Sequence, residues 1–318
     1  MRKIQHPPGA GGVKFLPWIL TAGFGGVLAL AVGEGPVPAS RRPLSSRLRW
    51  MAVEVQPAPP PSEDLLGRGE RLYRWYCLPC HGLEGRGDGP TGERLAVRPR
   101  DLTRGIYKLK TSGPGEMPFD EDLYRTITAG IPPSGMPPFA EFDSEERWSL
   151  VAFVKSLARD ESGVSLFERY PARTRVGGPP RERLGNASRG RQIYGAVAGC
   201  ASCHGESARG DGPAAPWLRD SLGRPVRVPD FTRGHVLFLA GSEPEDVYRV
   251  LTVGFEGSPM PSFAALPETD RWDLAHFVVS LYAPLGEDEK IFLRRYAEGG
   301  KVAAGSGAPA PPAAPDRP

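Results

Sequence analysis

The chain contains the five-residue pattern Cys-x-x-Cys-His twice, at residues 77–81 and 200–204. This pattern is the attachment signature of c-type haem. Two thiols three residues apart lie about one helical turn apart, so both can add to the vinyl groups on one edge of a porphyrin. The adjacent histidine is then held under the iron as an axial ligand. The sequence therefore predicts two covalently bound haem c groups. The attachment cysteines and proximal histidines are Cys77, Cys80, His81, Cys200, Cys203 and His204.

Three other uses of a Cys-x-x-Cys pair compete with haem attachment: a zinc site, a thioredoxin-like redox pair and a disulfide. A zinc site needs two cysteine pairs in one tetrahedral cluster and has no need of a histidine after each pair. A thioredoxin-like pair needs a βαβ context, which neither copy has. Two complete patterns use all four cysteines of the chain. Haem attachment is therefore favoured, and no thiol is left for a separate disulfide or a catalytic cysteine.

The residues around the second pattern repeat those around the first, which indicates a tandem duplication. Offsets of 123 to 124 residues relate Cys77 to Cys200 and Trp148 to Trp272. In the first copy, residues 67–76, 120–128 and 144–157 have the periodicity and end signals of helices. The Gly- and Pro-rich stretches between them predict loops. Each copy is therefore expected to be one helical unit.

Two of the five methionines occupy matching loops, where Met136 and Met260 are each followed by Pro-x-Phe shortly before the last predicted helix. A thioether at the sixth iron position suits electron transfer and raises the reduction potential, because soft sulfur favours ferrous iron. Met117 falls in an insertion that the second copy lacks, so it is predicted to be a packing or surface residue. Met136 and Met260 are therefore the predicted second axial ligands.

The other candidate residues are less specific. His235 and His276 have no histidine counterpart in the first copy and are expected to be structural. Arg104 and Arg233 do match each other, in a loop expected to face the haem region. Each arginine could pair with a haem propionate or lie solvated at the surface, and the sequence leaves both alternatives open.

Basic residues are concentrated at the N-terminus: residues 1–50 hold seven basic groups and one acidic group, so residues 51–318 carry 33 basic against 36 acidic groups. Dispersed arginines with no basic run argue against a nucleic-acid surface. A basic start followed by an uncharged run over residues 15–33 predicts export. The 19 residues of this run favour an uncleaved membrane anchor. A signal-peptidase site at residues 29–31 would instead release a soluble periplasmic form.

Shifts in composition set the predicted boundaries. Residues 1–33 form the signal or anchor, and the Pro-rich residues 34–62 predict a semi-stiff spacer that holds the rest of the chain away from a membrane. The Gly/Ala/Pro-rich tail at residues 299–318 is expected to be disordered. The segments between them are domain 1 (residues 63–172), a linker (residues 173–185) and domain 2 (residues 186–298).

Over residues 63–298 the chain resembles tandem class I cytochrome c domains of bacterial respiratory chains. The resemblance rests on Cys-x-x-Cys-His, a shared Gly-Asp-Gly-Pro loop, the Met-Pro-x-Phe loop and the last amphipathic helix. It implies an all-α fold of two tandem domains with loop-rich haem pockets, preceded by the signal or anchor helix. It also implies that the first and last helices of each domain cross at Gly69 and Gly190. The family's proline carbonyl, which accepts the ring N–H of the proximal histidine, maps onto Pro90 and Pro213.

The two copies depart from each other before the cysteine pattern. Tyr73 lies four residues before Cys77, whereas Tyr194 lies six residues before Cys200. The first helix of domain 2 is therefore expected to end differently from that of domain 1.

The resemblance implies an extracytoplasmic dihaem cytochrome, tethered to the inner membrane, that carries single electrons between redox protein partners. It would act as a free carrier or as a subunit of a larger oxidoreductase, with no small-molecule substrate and no enzymatic step of its own. A dihaem peroxidase is the enzymatic alternative, but it needs one open sixth position, which two matching methionine loops disfavour. A thiosulfate-oxidising enzyme with a cysteine ligand is disfavoured because the chain has no fifth cysteine. A purely structural membrane anchor for a partner enzyme is the third alternative.

Overall fold

The computed structural model describes residues 50–95, 97–131, 134–176, 185–233, 241 and 243–282. Within these ranges the chain is helical, with isolated β-bridges and no strand, which confirms the all-α prediction. No helix in the described ranges is long and apolar enough to cross a membrane. The predicted signal or anchor, the first part of the spacer, most of the inter-domain linker, His235 and the C-terminal tail lie outside the described residues.

Each domain is a set of short helices separated by long loops. The α-helices of domain 1 are α1 (Glu63–Leu72), α2 (Leu78–His81), α3 (Asp120–Ala129), α4 (Ser144–Leu157) and α5 (Leu166–Arg169). Those of domain 2 are α6 (Ala187–Gln192), α7 (Ala201–His204), α8 (Pro244–Val253) and α9 (Glu268–Ser280). In the described ranges, 3₁₀ turns also occur at Trp50–Ala52, Gly92–Arg94, Leu102–Arg104 and Ala215–Trp217. Helix α1 begins where the sequence predicts a domain start, because the Ser62 side chain accepts a hydrogen bond from the Leu65 amide.

In both domains the first helix widens into a π-helical turn just before the cysteine pattern, at Tyr73–Cys77 and Ile193–Val197. Such turns are rare in proteins, and those that occur are often found at functional sites. In domain 2, Gly199 with φ +64° separates this turn from Cys200, so the first helix does end differently, as predicted. The tyrosines nevertheless make the same contact. Tyr73 Oη donates to the Gly82 carbonyl at 2.8 Å, and Tyr194 Oη donates to the Gly205 carbonyl at 2.7 Å.

The first and last helices of each domain cross at a glycine, as the resemblance implies. A Cβ on Gly69 would clash with the carbonyl oxygen of Ser149 in α4, and a Cβ on Gly190 would clash with that of Asp273 in α9. Aromatic rings close both crossings, with centroids 5.0 Å apart for Tyr73 and Phe153 and 5.3 Å apart for Tyr194 and Phe277. Only glycine allows two helix backbones to approach this closely.

Residues 50–56 differ from the predicted spacer, because they pack against domain 1. The Trp50 side chain is only 2% exposed, and its Nε1 donates to Thr126 Oγ1 at 2.8 Å. Trp148 Nε1 of α4 in turn donates to the Gln56 carbonyl at 3.0 Å. The proline-rich composition of the segment concealed one large apolar side chain. The free energy gained by burying this side chain exceeds the conformational entropy lost by ordering the short segment.

Trp50 also lies where the two domains meet. It packs in one cluster with Leu109 and Ala129 of domain 1 and with Val250 and Phe255 of domain 2, and we call this cluster the seam. Two guanidinium groups lie over its ring: that of Arg125 at 5.7 Å and that of Arg249 at 4.6 Å from the centroid. These arginines occupy equivalent positions of the two repeats. Ile131 of domain 1 packs against the same cluster, and its equivalent in domain 2 is Phe255, so the two repeats contribute matching residues on either side of Trp50.

Candidate haem sites

The four cysteines and two histidines lie where the helices turn into loops. Cys77 ends the first π-helical turn, and Cys200 caps α7. Cys80 and Cys203 follow one turn later, so the two thiols of each pair lie on neighbouring turns, as attachment to one porphyrin edge requires. All four cysteines are partly buried and form no disulfide.

The thiols do not resemble a redox pair or a zinc site. Burial raises the pKa of the Cys77 thiol to about 12 and that of Cys200 to about 11, so both are protonated and weakly nucleophilic at neutral pH. Redox-active Cys-x-x-Cys pairs have the opposite property, with a lowered thiol pKa. No group of three or more His, Cys, Asp or Glu side chains that could hold a metal ion occurs in the part of the chain that the structure describes.

The two histidines are half-buried, and their imidazoles are neutral. Burial lowers the pKa of His81, and it lowers the pKa of His204 to about 4. The Nδ1 atom of each ring is buried and has no hydrogen-bond partner among the described residues. A neutral imidazole is the form that binds iron. Both rings therefore have the protonation state that a proximal ligand needs.

The carbonyl beside each imidazole comes from the loop before the Asp-x-Thr-Arg-Gly sequence. It belongs to Arg100 for His81 and to Pro229 for His204, and each opposes the lowering of the ring pKa by burial. The resemblance placed the neighbouring carbonyl at Pro90 and Pro213, but both of these prolines are exposed at the surface. The prediction chose the proline of the Gly-Asp-Gly-Pro loop, whereas the carbonyl beside each ring belongs to the residue just before the Asp-x-Thr-Arg-Gly sequence.

Domain 2 has an aromatic support that the sequence analysis did not identify. The Phe231 ring stacks on the His204 ring, with centroids 4.5 Å apart and an interplanar angle of 25°. Leu102 occupies the equivalent position of domain 1. The sequence contained one sign of this contact: the Asp-x-Thr-Arg-Gly sequence has phenylalanine at its second position in domain 2 and leucine in domain 1.

The methionines lie in two loops with the same internal hydrogen bonds. We call residues 131–136 the Met136 loop and residues 255–260 the Met260 loop; residues 132 and 133 of the former are outside the described residues. The Met136 carbonyl accepts from the Ile131 amide at 2.9 Å, and the Met260 carbonyl accepts from the Phe255 amide at 3.1 Å. Both methionine side chains are half-buried. Met117, in contrast, is 7% exposed and packs in the domain 1 core, which confirms its predicted packing role.

In each loop a serine hydroxyl forms hydrogen bonds with the first and the last residue of the loop. Ser134 Oγ donates to the Ile131 carbonyl at 2.8 Å and accepts from the Met136 amide at 3.4 Å. Ser258 Oγ donates to the Phe255 carbonyl at 2.7 Å and accepts from the Met260 amide at 3.3 Å. The same local bonds therefore present a methionine at the same point of both repeats.

The two matched arginines lie at the surface. Arg104 is exposed, and its Nη1 approaches the Ser221 carbonyl of domain 2 at 3.5 Å. Arg233 is exposed beside Asp211 and Asp230 in an open groove of domain 2. Their pairing with haem propionates stays a prediction.

Comparison with known families matches both repeats to one model. Residues 64–154 and residues 185–278 each match the family described as cytochrome c oxidase, cbb3-type, subunit III. The chain belongs to this family. The two successive matches confirm the tandem class I c-type cytochrome architecture and give the chain covalently bound haem c and a role in electron transfer.

A solved structure is also similar to this chain. It is titled "Kuenenia stuttgartiensis reducing HAO-like protein complex Kustc0457/Kustc0458" and is 38% identical in sequence, with a TM-score of 0.62. The similarity covers 73% of this chain and 100% of that chain. A comparison with curated protein sequences gave no match.

The residues present fit a covalently bound haem in each domain of this family member. Each site has two thiols outside any disulfide and one helical turn apart, a neutral imidazole with a buried and unpartnered Nδ1, and a methionine fixed in a matching loop. The sequence predicted all of these donors. The backbone carbonyls beside the rings, the Phe231 stack and the contacts between the domains became visible only in the structure.

Proposed function

We propose that this chain is a dihaem cytochrome c that passes single electrons between protein partners, with His81/Met136 and His204/Met260 as the axial ligand pairs. Haem, when bound, supplies reversible one-electron exchange between ferric and ferrous iron. The observation that carries the proposal is the duplicated arrangement of a neutral, half-buried imidazole and a serine-braced methionine loop. Two sites with both axial ligands supplied by protein are suited to conduction and not to binding a substrate.

The protein residues have separate tasks in this proposal. Cys77 and Cys80 hold one porphyrin, and Cys200 and Cys203 hold the other, so neither cofactor can dissociate. The imidazoles donate a nitrogen lone pair, and the neighbouring backbone carbonyls set ring orientation and basicity. The methionines would supply the second ligand to each iron, and a thioether ligand favours the ferrous state.

We further propose that the chain works as the cytochrome subunit of a larger oxidoreductase and performs no bond-making step itself. The similar solved chain comes from a structure whose title describes a protein complex, which supports the proposal that this chain has redox protein partners. Trp75 and Tyr76, which are 56% and 47% exposed, immediately precede Cys77. Exposed aromatic side chains are enriched in protein–protein interfaces, so they support a partner that approaches the first attachment site.

An extracytoplasmic location with a tether to the inner membrane completes the proposal. It is supported by the basic start and the uncharged run of the first 33 residues, which lie outside the described residues.

An absorption spectrum of the ferric protein, produced with haem-maturation machinery, tests the ligand set. Ferric haem with a methionine ligand has a weak band from sulfur-to-iron charge transfer, here called the methionine band, which can be quantified per haem. We expect two haems per chain and a methionine band whose intensity corresponds to two haem equivalents. One band or none, together with high-spin features and a rapid reaction with peroxide, would identify a peroxidase-like enzyme instead.

A further inference from the structure

Three consecutive residues of the Met260 loop lie against domain 1. Phe255 packs in the seam. The Glu256 carboxylate accepts a hydrogen bond from Lys110 Nζ. A Cβ placed on Gly257 would lie only 2.7 Å from Arg100 Nη1, so this glycine lies directly against the Arg100 guanidinium.

The Lys110 side chain is the most buried part of this contact, with none of its surface exposed. Its Nζ also donates to the Glu116 carbonyl at 2.6 Å, and Glu256 Oε1 accepts a further bond from the Gly115 amide at 2.8 Å. A buried ammonium group without a carboxylate partner is strongly unfavourable. Lys110 therefore holds Glu256 against domain 1.

The segment held in this way is bonded directly to the backbone of Met260. The Phe255 amide donates to the Met260 carbonyl at 3.1 Å. Ser258, next but one to Glu256, bridges the Phe255 carbonyl and the Met260 amide. A displacement of Glu256 is thus transmitted to Met260 through two residues and three hydrogen bonds.

Arg100 connects the same contact to the first site. Its backbone carbonyl lies beside the His81 ring, while its guanidinium lies against Gly257. One residue therefore touches the proximal histidine of domain 1 and the methionine loop of domain 2.

The first repeat lacks the side chains for the reciprocal ion pair. The positions equivalent to Glu256 and Gly257 are Pro132 and Pro133, and the position equivalent to Lys110, counted from the Asp-x-Thr-Arg-Gly sequence, is Leu239. Proline and leucine side chains carry no charge. The equivalent positions of the two repeats therefore cannot form a second, reciprocal ion pair.

We propose that domain 1 is a positioning element for the second site: buried Lys110, acting through Glu256, holds the Met260 loop so that the thioether of Met260 ligates the iron of domain 2. This inference rests on the proposed ligand set. Lys110 is a positioning residue, because it acts on Met260 through the loop.

The test replaces Lys110 in the full-length dihaem protein by methionine, which keeps the length of the side chain and removes its charge. We expect the methionine band to fall from two haem equivalents to one, and carbon monoxide to bind to one ferrous haem per chain. The reduction potential of that haem should fall. Met136→Ala and Met260→Ala variants assign the bands, and the band lost in Lys110→Met should be the one lost in Met260→Ala.

Lys155→Met is the matched control, because Lys155 pairs with Asp120 at 2.6 Å within domain 1 and should leave both bands intact. If Lys110→Met fails to fold, Glu256→Gln, at a side chain that is 22% exposed, decides the question, and it should weaken the same band. Two full bands and no carbon monoxide binding in the folded variants would overturn this inference alone. A wild-type protein without a Met260 band would overturn the proposed ligand set and this inference together.

Discussion

The Met136 loop and the Met260 loop have the same internal hydrogen bonds and different surroundings. In each loop a serine joins the first residue of the loop to the methionine at its end. Outside the loop, Gly135 faces Leu95 of its own domain, whereas Glu256 is held by Lys110 of the other domain. The comparison teaches that a duplicated sequence fixes the local shape of a ligand loop, while the packing of the two copies determines what holds that loop in place.

The largest effect on this comparison is expected from Trp50→Ala. The indole fills the centre of the seam, and truncating a buried aromatic side chain costs about 3–5 kcal/mol. We expect the free energy of unfolding to fall by roughly that amount. Denaturation followed by haem absorbance should also resolve into two separate domain transitions.

Trp217→Ala provides the control for this variant, since Trp217 is 78% exposed and should tolerate truncation. A single unshifted transition in Trp50→Ala would show that the seam contributes nothing to joining the domains. The contrast between the two loops would then lose its structural basis.

A smaller and more selective effect is expected from alanine at Gly257 and at Gly135. Both glycines have positive φ, +69° and +83°, which costs a residue with a Cβ about 1–2 kcal/mol. Only Gly257→Ala also presses on the Arg100 guanidinium of the other domain. We therefore expect similar losses of stability but a weakened methionine band at Met260 only in Gly257→Ala. Equal weakening of both methionine bands by their respective variants would remove the distinction between the loops.

The smallest effect is expected from Ser134→Ala and Ser258→Ala, which probe what the loops share. Each variant removes one hydroxyl that both donates and accepts, and a net loss of about 1 kcal/mol is typical of one hydrogen bond. We expect equal reductions in the free energy of unfolding, measured by chemical denaturation of the holoprotein. A difference of more than about 1 kcal/mol between them would mean that the internal bonds are not equivalent.

The sequence predicted the parts of the sites that depend on local patterns. The cysteines, the histidines, the matched methionine loops and the glycine crossings all follow from motifs and from repetition. The bond between Lys110 and Glu256 joins residues 146 positions apart, and neither side chain differs in type from an ordinary surface charge. Trp50 was concealed by its proline-rich neighbours. The carbonyls of Arg100 and Pro229 beside the rings were missed because a backbone carbonyl carries no sequence signal.

The long separation between Lys110 and Glu256 also has a consequence for biogenesis. Synthesis runs from the N-terminus, so the residues that form the face of domain 1 with Lys110 and Arg100 are made before the Met260 loop. The second ligand loop can then dock on a surface that is already folded. The order of the two repeats along the chain would thus make the first repeat a template on which the Met260 loop folds.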